Sequence, residues 1–155
     1  MASAIRRPST AFSNAPIGKP KKRTRDHDEA HLKWLRTLPC VISGTRPVEA
    51  AHIRYADPIY GKRETGKGEK PSDRWALPLS PDLHREQHAG AERAFWVRYG
   101  IDPLRVASAL FMNTGDDDQA DVILREARNT AQSFGRLWQR GELSRPSHAT
   151  DGENE

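Results

Sequence analysis

Fourteen residues constrain this chain more than any others: Trp75-Ala-Leu-Pro-Leu79, then Ser80-Pro81-Asp82-Leu83, then His84-Arg-Glu-Gln-His88. The first five read as a short buried strand, and Ser80 before Pro81 reads as a helix N-cap with proline at the first helical position. A strand therefore hands over directly to a helix. Four residues apart on that helix, His84 and His88 project from one face, close enough to share one metal ion. Two solvated or stacked histidines are the commoner outcome for an isolated His-x-x-x-His, so its surroundings must decide.

A chain of 155 residues, 35% hydrophobic and 30% charged, suits one domain with a core of limited size. Its net charge of +4 is unevenly placed. Residues 1–25 carry Arg6, Arg7, Lys19, Lys21, Lys22, Arg23 and Arg25 with no acid, while the last fifteen residues carry four acids and one Arg. The first stretch reads as a disordered basic arm, able to touch phosphates nonspecifically or simply to aid solubility; residues 142–155 read as a disordered acidic tail. A single cysteine, Cys40, excludes an internal disulfide and fits a reducing compartment. With no apolar run of signal or membrane-spanning length, a soluble, cytoplasmic protein without a membrane partner is expected. The Arg- and Ser-rich start has the composition of an organelle transit peptide, but its prolines work against an amphipathic helix.

Between those ends, Asp26 and Glu29 open a helix running through Trp34, Leu35 and Leu38 to Pro39. Cys40 to Gly44 forms a tight turn, and Val48 to Ile53 a strand bearing His52 near its end. The 21 residues from Arg54 to Arg74 then hold Gly61, Gly66, Gly68, Pro58 and Pro71 among Lys62, Arg63, Lys67, Lys70 and Arg74. A loop this long and basic is either a mobile solvated loop or a clamp on a nucleic-acid backbone. Beyond the His84 helix, Ala91 to Tyr99 is helical with Phe95 and Trp96 as core anchors, and Asp102-Pro103 starts another helix with Leu104, Ala107 and Phe111 on one face. A final helix over 116–140, within a 113–141 segment, shows Ala120, Ile123, Leu124, Ala127, Ala131, Phe134 and Trp138 at three-and-four spacing. It docks on the domain or on a partner.

Leu38-Pro39-Cys40 with Gly44, Ala51-His52-Ile53, Lys70-Pro71-Ser72-Asp73, Pro78-Leu79, His84, His88, Phe95-Trp96 and Gly100-Ile101-Asp102-Pro103 together resemble the HNH endonuclease superfamily. The likeness is closest to its phage-type branch of YbcO-type proteins and the RecA-dependent nuclease Ref, and covers about residues 30 to 112. It implies an α+β fold, a small ββα-metal, treble-clef-like core at 26–112 with flanking helices and a long C-terminal amphipathic helix. The family often has paired cysteines where this chain has Cys40, Ser43, Ser80 and Leu83. Hydroxyl and Leu side chains do not replace thiolates, so a structural zinc is expected to be absent, with apolar packing around a buried Cys40 in its place. The usual Asn position falls near Trp75, leaving Asp73 as the nearest polar group, and Ala51 stands where an Asp or His ligand is common.

By this resemblance, His52 is the general base, its imidazole suited to taking a water proton at cellular pH, and His84, His88 and Asp73 hold one divalent metal ion. Nitrogen donors favour zinc, nickel or manganese over magnesium. His52 itself, Asp57 or Asp82 are the other candidates for a third ligand. Arg54, Lys62, Arg63, Lys67, Lys70, Arg74 and Arg85 are the expected DNA contacts, and a recombinase is a possible partner. His27, His31 and His148 lie outside the pattern and read as surface residues. The implied function is metal-dependent DNA phosphodiester hydrolysis in phage or prophage DNA processing or recombination; the alternative is a catalytically decayed nucleic-acid-binding module.

Overall fold

The computed structural model describes residues 25–66 and 68–139, side chains as far as residue 133. The architecture is α+β. In chain order come α1 (Glu29–Leu35), β1 (Glu49–His52), a 3-10 turn (Asp73–Trp75), β2 (Ala76–Leu79), α2 (Pro81–His88), α3 (Glu92–Tyr99), α4 (Pro103–Met112) and the long α5 (Asp117–Gln139). The expected basic arm up to residue 24, Lys67, the side chains of Phe134 and Trp138, His148 and the acidic tail lie outside the described residues.

β1 and β2 pair antiparallel with Glu49 opposite Leu79, Ala51 opposite Leu77 and His52 opposite Ala76. Pro78 is tolerated because its carbonyl accepts from the Val41 N–H at 2.9 Å. N and O of one strand residue point the same way, so the donor that proline lacks faces the Cys40 turn rather than β1. Trp75, expected inside the strand, instead closes the 3-10 turn, and its carbonyl accepts from Ile53 N–H at 2.9 Å, extending the pairing beyond β1.

The handover from β2 to α2 follows the expected Ser80-Pro81 signal. Ser80 occupies the N-cap, yet its hydroxyl makes no capping bond; its carbonyl accepts from His84 N–H at 2.9 Å. α1 starts three residues later than expected, because Asp26 is drawn into pairing with the 3-10 turn: Asp26 N–H donates to Ser72 Oγ at 3.2 Å and its carbonyl accepts from Asp73 N–H at 3.0 Å. Asp28 then caps α1 through His31 N–H at 2.9 Å.

The Cys40 turn is closed by Gly44 N–H to the Cys40 carbonyl at 2.9 Å, with Gly44 at φ +73°, a conformation that favours glycine. Cys40 and Val41 are fully buried, Ser43 N–H donates to Cys40 Sγ at 3.5 Å, and Arg128 of α5 donates to the Cys40 carbonyl at 3.2 Å. Leu77 and Leu79 of β2 share the core with Leu35, Ile53, Trp96, Leu104, Leu110 and Leu124, each nearly or wholly inaccessible. Burying a Leu or Ile side chain in this way stabilises by about 1.5–3 kcal/mol. Phe95 and Trp96 are core residues, as expected, their rings edge to face at 4.9 Å. On α5 the buried side is Ala120 and Leu124, continued by the partly buried Ile123, Ala127 and Ala131. No helix among the described residues is long and apolar enough to cross a membrane.

One expectation about the surface is overturned. His31 is fully buried in α1, its ring edge on Phe111 at 5.1 Å. Because the Thr114 hydroxyl donates to the Phe111 carbonyl at 2.9 Å, its oxygen is free to accept from His31 Nδ1–H at 2.7 Å. Burial lowers the pKa of this imidazole, so the ring packs as a neutral core group. The 3.6-residue period that places Leu32 and Leu35 inward brings His31 with them.

Candidate metal-binding and hydrolytic site

His52 ends β1 with its side chain one-fifth exposed, and Asp73, 21 residues later in the 3-10 turn, is fully buried beside it. Asp73 Oδ1 lies 2.8 Å from His52 Nε2 and also accepts from Arg25. Asp73 Oδ2 accepts from the Asp28 N–H at 3.0 Å and lies 3.7 Å from His27 Nδ1. Burial works to raise the Asp73 carboxyl, but the hydrogen bonds from Arg25, His52 and the Asp28 backbone outweigh it and bring it down to about 2. An ionised Asp73 accepts, so His52 carries its proton on Nε2 and leaves Nδ1 as the basic nitrogen. Burial lowers the His52 pKa, Asp73 opposes this, and Arg25 and Lys70 add to the lowering. The ring is therefore neutral at cellular pH.

Asp73, expected beside His84 and His88, is thus the partner of His52. A different carboxylate reaches the histidine pair. Glu49, three residues before His52 on β1, places Oε2 2.6 Å from His84 Nδ1. That contact assigns the proton to His84 Nδ1 and bares Nε2, and a carboxylate behind a histidine in this way is the usual support for a metal-ligating imidazole. The Nε2 atoms of His84 and His88 are 3.1 Å apart. Two imidazole nitrogens each 2.0–2.1 Å from a zinc-like ion at angles between octahedral and tetrahedral would sit about 2.9–3.4 Å apart, so the pair fits two adjacent ligand positions. Burial, with Arg54 and His84 nearby, lowers the His88 pKa and favours the neutral, ligating form. Among the described residues no group of three or more His, Cys, Asp or Glu side chains is gathered to hold a metal ion, and His84 and His88 could offer one at most two protein donors. Asp57 and Asp82, considered as third ligands, are engaged elsewhere: Asp57 with Ile59 N–H and Arg93, Asp82 with Arg85.

A residue that the sequence did not single out fixes these two parts relative to each other. Gln87, on α2 between the histidines, is fully buried. Its Nε2 donates to the His52 carbonyl at 3.2 Å and to Glu92 Oε1 at 2.7 Å, while Glu92 Oε2 accepts from the Arg54 N–H at 2.9 Å. The helix carrying His84 and His88 is thereby tied to the strand end carrying His52. A polar residue on the inward side of α2, one position before His88, was the available signal.

His52, His84 and His88 all line one groove of about 670 Å³, with Arg25, His27, Arg36, Arg54 and Lys70 among its walls. Of the expected phosphate contacts, Arg54 and Lys70 therefore face the site. Arg63 also bonds Glu69, and Arg85 pairs with Asp82 on the surface of α2. Lys62 and Arg74 are corrections. Lys62 is only 3% exposed, its Nζ donating to the Arg54 carbonyl at 3.4 Å, which closes the loop on itself. Arg74 is half-buried, its guanidinium stacked 4.6 Å from the Trp75 ring and 5.6 Å from Phe111, where it packs rather than waits for a ligand. Arg25, placed in the arm by sequence, belongs to the site through Asp73.

Fold and site together define a small α+β protein in which a strand-borne His–Asp couple and a helix-borne histidine pair face one cationic groove. Residues 10–114 match the family described as protein of unknown function DUF968, and the chain belongs to that family. No curated protein and no solved structure matches it.

Proposed function

We propose that this protein is a metal-dependent DNA endonuclease of the HNH type. The observation that carries the reading is a neutral His52, oriented by Asp73, in the same groove as two imidazole nitrogens spaced for one cation. His52 Nδ1 takes a proton from water as the water oxygen bonds to phosphorus, the P–O3′ bond breaks, and the departing 3′ oxygen is protonated by solvent. A divalent cation held by His84 and His88 supplies, when bound, charge for the phosphoryl and leaving oxygens. Arg54 and Lys70 hold the phosphate strand along the groove, and Arg25 keeps Asp73 ionised behind the base. Phage or prophage DNA processing, with a recombinase as partner, is the setting that fits the sequence resemblance.

The test is nicking of supercoiled plasmid by the purified chain with Mn²⁺, Zn²⁺, Ni²⁺ or Mg²⁺. We expect cleavage that His52→Ala abolishes while the circular dichroism spectrum is kept. The two-histidine donor set favours a second reading, a nuclease-derived module that binds nucleic acid without cutting. Salt-sensitive DNA binding with no cleavage in any of these metals selects it.

A further inference from the structure

No Phe, Tyr or Trp lines the groove described above: Arg25, Arg36, Arg54, Lys70 and four histidines outnumber its two acids, Glu29 and Glu69, and the rest is Leu32, Ala50, Pro71 and loop residues. Nearby aromatic side chains are engaged elsewhere. Trp75, Phe95 and Trp96 are core, Tyr55 lies under the Arg93 guanidinium at 4.2 Å, and Tyr99 donates to Glu86 at 3.0 Å. Proteins that grip single strands rely on aromatic platforms, whereas cations alone read the regular phosphates of a duplex.

The loop that builds one wall of this groove also carries a turn held from several sides. Asp57 and Lys62 exchange two backbone hydrogen bonds of 2.9 Å, and Gly61 N–H donates to the Pro58 carbonyl at 3.0 Å. Asp57 Oδ1 accepts from Ile59 N–H at 3.0 Å, the Tyr60 hydroxyl donates to Asp102, and Arg93 donates to the Ala56 carbonyl at 2.6 Å. Buried Lys62 anchors the base. At the tip stands Ile59, 91% exposed. A lone surface Ile is ordinary on a loose loop. This one is held out by a turn whose conformation is already fixed, so little ordering is needed when the tip meets a ligand.

Five residues separate Ile59 from Arg54 at the groove, a reach of at most about 18 Å and comparable with the groove dimensions of a duplex lying there. Arg93, bonded to the turn's backbone and paired with Asp57, and Arg105, near Tyr60 and Asp102, stand beside the tip. Resting on the nuclease reading, we propose that the substrate is duplex DNA held through its phosphates and that Ile59 enters a base step as an apolar wedge. Aliphatic side chains inserted in this manner unstack the step and bend the duplex, favouring flexible pyrimidine–purine steps and mismatches.

The test uses the full chain in EDTA with 30-base-pair duplexes carrying 2-aminopurine at a TA step or beside a mismatch, and a single strand of equal length. Wild type should bind the duplex about tenfold or more tighter than the single strand and raise 2-aminopurine emission severalfold. Ile59→Ala and Ile59→Ser should lose the emission rise while keeping the salt slope of binding. An emission rise that persists in both variants, or equal affinity for the single strand, overturns the proposal. So does a shift from dimer to monomer on Ile59→Ala without any DNA effect, which would make the tip a protein contact. Duplex binding with an Ile59-dependent rise but no plasmid nicking in any metal would leave the wedge standing and sink the nuclease reading; absence of DNA binding sinks both.

Discussion

Replacing Asp73 by Asn probes the couple on which the proposed chemistry depends. The side chain is fully buried and its carboxyl lies near 2 against an ordinary 3.8. At about 1.4 kcal/mol for each pH unit of displacement, the native contacts of the ionised group stabilise the fold by about 2 kcal/mol. The carboxyl is depressed in the folded state, so this stability is fully present above pH 3.8 and is lost as pH falls toward 2. Asp73→Asn removes it at neutral pH, and with a urea slope of about 1–3 kcal/mol/M the unfolding midpoint should drop by about 1 M. Urea titrations of both proteins, followed by tryptophan fluorescence from pH 7 to pH 2.5, should show the gap closing below pH 4. A gap under about 0.5 kcal/mol at pH 7, or one that stays constant across the range, would refute the account of Asp73 as an ionised, multiply bonded carboxylate. The same variant strips His52 of the charge that raises its pKa, so the acid limb of any nicking profile should move to lower pH while the maximal rate falls.

Glu49→Gln should weaken Zn²⁺ or Mn²⁺ binding by about 10–100-fold, measured by calorimetry, because the amide no longer enforces the His84 tautomer; unchanged affinity would remove Glu49 from the site. Gln87→Leu leaves the His52 carbonyl and Glu92 Oε1 without their donor and should destabilise by about 1–3 kcal/mol, with faster amide exchange at the end of β1. An unchanged melting temperature would show that the strand and α2 are held by packing alone.

Much of this protein is written in short-range patterns. Proline after a capping position opens α2 and α4, the four-residue spacing of His84 and His88 needs only a helix to become a pair, and the apolar period of α5 names its buried side. Such features depend on neighbours within a turn or two, and a sequence displays those neighbours directly. Tertiary structure alone decided which carboxylate serves which histidine. Asp73 reaches back 21 positions to His52 and Glu49 forward 35 to His84, and Gln87 spans the same 35 to the His52 carbonyl. It likewise turned two basic residues inward, Lys62 onto a backbone carbonyl and Arg74 between aromatic rings, and buried His31 against Thr114. A charged or polar side chain finds its partner only when the chain folds back. Whether it meets solvent, substrate or another part of the protein is therefore set by long-range packing rather than by residue type.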